Sequence, residues 1–178
     1  MNWDSYFLNI CNAVSSKSPC LSRNIGAIVV RDHSIVSTGY NGPARGYPHC
    51  VGTIIVDPEE PCVWLGPGKV IPVKDPKSIT QSTICPRRAK GYQSGQGLVE
   101  CPAAHAEANC ISNASRLGVS VRGCTMYMNT REIACKDCMT TIVNSGIVEL
   151  VTLELISYHE MSFDIARYGK IRLRRFSL

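Results

Sequence analysis

The sequence predicts an α/β domain, one sheet with helices packed over it. Helical and strand-like patterns alternate along most of the 178 residues, and the composition (44% hydrophobic, 19% charged) is that of a chain able to build a core. A single irregular stretch between Asn41 and Pro102, rich in proline, glycine and cysteine, interrupts that order.

Residues 3–17 place Trp3, Phe7, Ile10, Cys11 and Val14 on a helical stripe, which the breaker at Pro19 ends. "IGAIVVRD" and "SIVSTGYNG" read as two strands around a short turn at Asp32-His33. The stretch that follows is too long to stand as an unsupported loop in a compact domain, so something must tie it down. Regular structure resumes at Pro102, which suits the first turn of a helix running to about Leu117. "CTMYMNT" is a strand. A helix from Cys135 to Asn144 stops at Gly146. "IVELVTLE" is a strand, "HEMSFDIARY" a helix and "KIRLRRF" a last strand. The order is α-β-β-(long loop)-α-β-α-β-α-β, in one domain spanning residues 1–178.

The N-terminal "MNWDSYFLNICNAVSSKS" has no apolar run long enough for a signal peptide or a membrane span, which predicts a cytoplasmic chain with no membrane partner. Ten cysteines in that setting point to metal ligands and buried thiols rather than disulfides. A net charge of +5 suits a small anionic ligand and does not by itself call for nucleic acid.

His105 is followed two positions later by Glu107, and about thirty residues on by Cys135 and Cys138. Three residues apart on a helix, the two cysteines share a face. Two thiolates and one imidazole make a three-ligand zinc site with a fourth position open, the mark of a catalytic zinc. His105 and Glu107 are two apart and point away from each other around a helix. They can serve one centre only near a helix start, where side chains also reach axially. Both motifs sit at predicted helix starts, where the helix dipole favours thiolates. H-x-E followed by C-x-x-C matches the zinc deaminase pattern, with Glu107 as general acid/base rather than ligand. Ala134 stands where that pattern has proline. It removes no ligand, and the site is expected to survive.

Further segments narrow the match: "SRNIGAIVV", "STGYNGPARG", "HAEANCI", "GCTMYMN", "CKDCMTTIVNSGI" and "SYHEMSFDIARYGKIRLRRF". Together they resemble the deoxycytidylate (dCMP) deaminases of the cytidine deaminase superfamily over nearly the whole chain except the long insert. The resemblance implies a three-layer α/β/α cytidine-deaminase-like fold with a central five-stranded mixed sheet. It implies hydrolysis of dCMP to dUMP and ammonia upstream of thymidylate synthesis, in a homohexamer activated by dCTP and inhibited by dTTP, with Mg2+ accompanying a triphosphate effector. Carried over by residue, Asn41 contacts the sugar and Tyr158 packs near the pyrimidine; Ser22 and Arg23 are the candidates for the phosphate, Arg23 reading equally as a salt-bridging surface residue. Gly39, Tyr40, Asn41 and Gly42 form a turn between active and regulatory sites. Gly42 also reads as turn chemistry and Tyr40 as core.

Cys11, Cys110 and Cys124 fall in regular elements and read as core. Some phage relatives hold a second, structural zinc between the loop before the first strand and the insert. By that resemblance Cys20 and Cys50 are ligands; the histidine and glutamate that complete the set in those relatives do not align here, and "CPRRAKGYQSGQGLVEC" offers Cys85 and Cys101 instead, with Cys62 or His49 as alternatives. Such a zinc would staple the insert at about 43–101. Two rivals remain. One is another zinc deaminase acting on cytidine, dCTP, a tRNA adenosine or single-stranded DNA. Two tryptophans and three phenylalanines supply few stacking platforms for single strands. The other is a non-catalytic zinc module, which would have no use for Glu107.

Overall fold

The structure, a computed structural model, describes residues 2–47, 53–55, 62–64, 70–72, 85, 87, 91–93, 96–157 and 159–178. The chain divides into two compact units, one of Met1–Ser18, Ile25–Asn41 and Ala104–Leu178, the other of Pro19–Asn24 and Gly42–Ala103.

The first unit carries α1 (Trp3–Ser15), β1 (Gly26–Arg31), β2 (Ser34–Tyr40), α2 (Ala106–Arg116), β3 (Thr125–Met128), α3 (Lys136–Asn144), β4 (Glu149–Thr152), α4 (Met161–Tyr168) and β5 (Arg172–Arg175). Asn2 caps α1, its Oδ1 accepting from the Ser5 N–H at 2.8 Å. Asp32 and His33 both take positive φ (48° and 58°), the two-residue turn whose twist suits a hairpin. The sheet runs β5-β4-β3-β1-β2, parallel among β5, β4 and β3 and antiparallel across β3, β1 and β2. It is the expected five-stranded mixed sheet.

Strand β1 is buried on both faces, and its alternation sorts the core into two layers. Ile28 and Val30 point to one side, where they meet Phe7 and Cys11 of α1 together with Tyr127 and Val151. Ala27 and Val29 point to the other, beneath Ala106 and Cys110 of α2, Met139 and Ile142 of α3, and Ala166 of α4. Helices on both faces of one sheet give the α/β/α layering. Cys11, Cys110 and Cys124 are fully buried, as expected of core thiols.

Several element boundaries differ from expectation. Pro102 does not open a helix: Ala103–Ala104 form a short strand, His105 is extended (φ −72°, ψ 157°), and α2 starts at Ala106. The fixed φ of proline serves an extended segment as well as a first helical turn, which is why the signal misled. Cys135 is likewise extended and precedes α3 rather than opening it. Helix α1 ends at Ser15 rather than residue 17.

The second unit holds regular structure where none was expected. Thr53–Ile55, Cys62–Trp64 and Val70–Pro72 pair antiparallel in a three-stranded meander. Strands of three residues are too short to show an alternation in sequence. Nearer its end Leu98–Glu100 form a short 3-10 turn, entered from Gly97 at φ 61°. No described helix is long and apolar enough to cross a membrane.

Candidate metal centre and active site

Two helix starts build the site, each beginning on a potential ligand. The residue preceding a helix usually turns its side chain onto the first free N–H groups. His105 before α2 and Cys135 before α3 make no such bond. Their side chains turn to each other instead. His105 Nδ1 lies 3.6 Å from Cys135 Sγ and 3.5 Å from Cys138 Sγ. Among the described residues this is the one group of three or more His, Cys, Asp or Glu whose ligand atoms converge, all within 4.8 Å.

These distances test the fit to zinc. With Zn–S near 2.3 Å and Zn–N near 2.0–2.1 Å, a tetrahedral N···S edge is about 3.5–3.6 Å. Both observed separations fall there, so His105, Cys135 and Cys138 fit zinc as three of four ligands. The two-residue spacing of His105 and Glu107 is resolved by the same geometry. His105 is not helical, so the angular separation of helical neighbours does not apply. Glu107 in the first turn brings Oε1 to 3.9 Å from His105 Nδ1.

Electrostatics separate the roles. Cys135 is pulled down to about 4, chiefly by the hydrogen bond from the Cys138 thiol, against burial, and further by His105. The Cys138 thiol is pushed up by holding that proton and by burial. One thiolate and one thiol thus share a proton, which metal binding would displace. The imidazole of His105 is raised by its bond to Cys135, with burial opposing. Glu107 is only 4% exposed, and burial raises its carboxyl above the ordinary value, partly offset by His105. Burial and the His105 imidazole thus pull the carboxyl in opposite directions.

The route into Cys135 is fixed by backbone bonds. Leu153 N–H donates to Thr130 O, and Ile133 N–H to Ile156 O, both at 2.8 Å. They zip the segment entering α3 to the one leaving β4. Arg131 reinforces the zipper with two bonds to Glu154 at 2.9 and 3.0 Å.

The remaining predicted residues are placed as follows. Asn41 is buried, and its Oδ1 accepts from the Ile25 N–H and lies in bonding range of the Ser18 hydroxyl, each at 2.8 Å. Gly39 lies under α2, where a Cβ would come within 2.3 Å of Cys110 N and 2.6 Å of Ala106 O. Tyr40 is exposed at 38%, so it is not core. Gly42, Ser22 and Arg23 belong to the second unit, Ser22 half-buried and Arg23 exposed. Cys20, Cys85 and Cys101 also belong there, Cys85 buried and the others half-buried. Cys50, His49 and Tyr158 lie outside the described residues, as does the Cys62 side chain. Sequence reasoning missed three side-chain bonds in this part of the fold, Ser18 to Asn41 and Asn109 and Asn113 to strand β2. Their one signal is the four-residue spacing of two asparagines on a helix.

Residues 1–154 match the protein family described as the cytidine and deoxycytidylate deaminase zinc-binding region. A deoxycytidylate deaminase of Mycobacterium phage D29 is 32% identical over 155 residues, which cover 84% of this chain and 93% of the relative. That of Enterobacteria phage T4 is 31% identical over 174 residues, covering 90% and 82%. The deoxycytidylate deaminase of Saccharomyces cerevisiae is 28% identical over 176 residues; the match takes in 99% of this chain but 45% of the yeast protein. Among solved structures, the dCMP deaminase of cyanophage S-TIM5 in complex with dCMP and dUMP superposes with a TM-score of 0.60 at 17% identity, covering 96% of this chain and 94% of that one. At that identity the likeness speaks for the fold.

Proposed function

Because the chain belongs to the cytidine and deoxycytidylate deaminase family, we propose that it hydrolyses dCMP to dUMP and ammonia with the help of zinc. The observation that carries this reading is a buried Glu107 carboxylate beside three converging zinc ligands. A structural site has no need of that carboxylate. The choice of dCMP is supported by the relatives that bear the deoxycytidylate deaminase name and span most of this chain.

His105, Cys135 and Cys138 would hold the zinc, which supplies Lewis acidity that brings water to reactivity near neutral pH. Glu107 does the proton work. Its carboxylate accepts a proton from the attacking water and passes it to the pyrimidine ring nitrogen; free again, it takes the second proton, from the added hydroxyl, and delivers it to the amine as the carbon–nitrogen bond breaks. The balance is dCMP plus water to dUMP plus ammonia. The N-termini of α2 and α3 both face the ligands and favour negative charge there.

The finer reading gives Asn41 to the sugar, Ser22 and Arg23 to the phosphate and Tyr158 to the pyrimidine. Support for Asn41 is its fixed amide, whose oxygen accepts from the Ile25 N–H and lies in bonding range of the Ser18 hydroxyl. The turn of Gly39, Tyr40, Asn41 and Gly42 is given to dCTP and dTTP effectors, with Mg2+ on the triphosphate, in a cytoplasmic homohexamer feeding thymidylate synthesis. These rest on the family resemblance.

A second, structural zinc on Cys20, Cys50, Cys85 and Cys101 completes the proposal and makes the insert a stapled part of one domain. Its support is that Cys20, Cys85 and Cys101 fall within one compact unit, Pro19–Asn24 with Gly42–Ala103. Metal analysis of purified protein should find two zinc ions per chain; one would remove this site.

The deciding assay follows ultraviolet absorbance with dCMP, dCTP, cytidine and deoxycytidine, each with and without dCTP or dTTP as effector. Turnover of dCMP is expected. If only unphosphorylated nucleosides react, the reading fails.

A further inference from the structure

We infer that Asn109 is a positioning residue, a side chain outside the ligand set that orients the turn bearing His105 and Glu107. Strand β2 is the outer strand of the sheet beside α2, and the carbonyls on its open edge need donors from elsewhere. Helix α2 supplies two. Asn109 Nδ2 donates to Tyr40 O at 2.8 Å, and one helical turn later Asn113 Nδ2 donates to Thr38 O at 2.9 Å. Between them the Ser37 hydroxyl donates to Cys110 O at 2.7 Å, and Gly39 lets the helix backbone lie against the strand.

The two asparagines make the same bond to the same strand, but their places on the helix differ. The start of α2 has no side-chain cap, because His105 is turned to the cysteines. Its first anchor to the sheet is therefore Asn109, two residues past Glu107 and four past His105, whose carbonyl accepts the Asn109 N–H at 3.0 Å. The carbonyl it holds belongs to Tyr40, next to Asn41, whose amide is pinned to Ile25. Asn109 thus ties the proton-carrying turn to the end of β2 where the proposed sugar contact sits. Asn113 secures the same helix one turn farther from the site. Loss of the first anchor should let the helix start shift, and shifts of about 1 Å in a reacting group are costly.

The inference rests on the dCMP deaminase reading, and its test separates the two. Full-length Asn109→Ala and Asn113→Ala are compared with the parent protein. Each should lose a similar ~2–4 °C in melting temperature, since each loses one hydrogen bond. With zinc saturating, Asn109→Ala should lower kcat for dCMP about tenfold or more with KM within about twofold, and Asn113→Ala should leave both within about twofold. Zinc affinity, measured by competition with a chromophoric chelator, should fall about tenfold in Asn109→Ala alone. Asn109→Gln, which keeps a donor, should recover part of the loss. Equal effects of the two alanine variants on both kcat and zinc affinity, or none from Asn109→Ala, overturn the inference. Should the parent protein not turn over dCMP, the functional reading fails, and the zinc-affinity contrast still decides the role of Asn109.

Discussion

The proton-carrying role proposed for Glu107 falls on a buried carboxyl, and its surroundings suit it to that. Burial favours its neutral form, while the imidazole of His105 favours the charged one. A carboxyl between these pulls can give up a proton and regain it within one catalytic cycle. Glu107→Gln keeps the shape and removes the proton exchange. It should retain zinc while turnover falls by about 10²–10⁴-fold; metal content and single-turnover rate measured on the same preparation check it. Retained turnover would take the proton role away from Glu107. The types and spacing of His105, Glu107, Cys135 and Cys138 were legible because the pattern is the chemistry. How a two-residue spacing could converge was only half legible. It depends on His105 being extended, and nothing in the local sequence distinguishes that from a helical first residue.

Helix α2 and strand β2 form the contact on which the site rests, and its closeness depends on a missing side chain. A Cβ at Gly39 would have to displace helix backbone at Cys110 and Ala106 rather than a flexible side-chain end. Gly39→Ala should therefore cost about 1–3 kcal/mol through overpacking. The urea midpoint measures it, and a change within error would show that the helix can lift away. If activity falls as well, the loss reports packing of the site and not effector contact alone. From sequence, Gly39 was legible only as one glycine of a family turn, because a close backbone approach lies in the partner element as much as in the glycine. Element order and type were legible for α1 through α4 and the five strands, since each has a full period of apolar residues. The meander of the second unit was not, since three residues carry no period.

Across the whole molecule, the chain's two ends are joined by charge. Arg174 of β5 bonds both carboxylate oxygens of Asp4 in α1, and the Ser177 N–H adds a third bond at 2.7 Å. The Nε of Arg174 and the guanidinium of Arg172 reach buried Glu149 at 3.1 and 2.7 Å. Burial alone would raise the Asp4 carboxyl, but the bonds and charge of Arg174 and the Ser177 N–H leave it below its ordinary value. The folded chain therefore binds that proton less readily than the unfolded chain. The resulting stability is complete above the unfolded value of about 3.9 and is lost as pH falls through the lower folded value. Asp4→Asn should cost about 2 kcal/mol at pH 7, less than a fully buried pair because Arg174 is partly exposed. The gap to the parent should narrow below about pH 4; urea midpoints at pH 7, 5 and 3 follow it, and a pH-independent gap would refute the linkage. No sequence motif announces this tie, because its partners stand 170 residues apart.

The two uncapped helix starts also give the metal centre a part in holding the fold. Histidine and cysteine occupy positions where serine or aspartate would have closed each helix from within. A zinc held by His105, Cys135 and Cys138 would secure both starts from outside the helices. Stripping zinc would loosen two elements in one event, and amide exchange should quicken together at Asn109 and Met139, whose N–H groups bond the His105 and Cys135 carbonyls, while the sheet stays protected. For this chain, keeping its metal and keeping its helices wound at the site are one equilibrium.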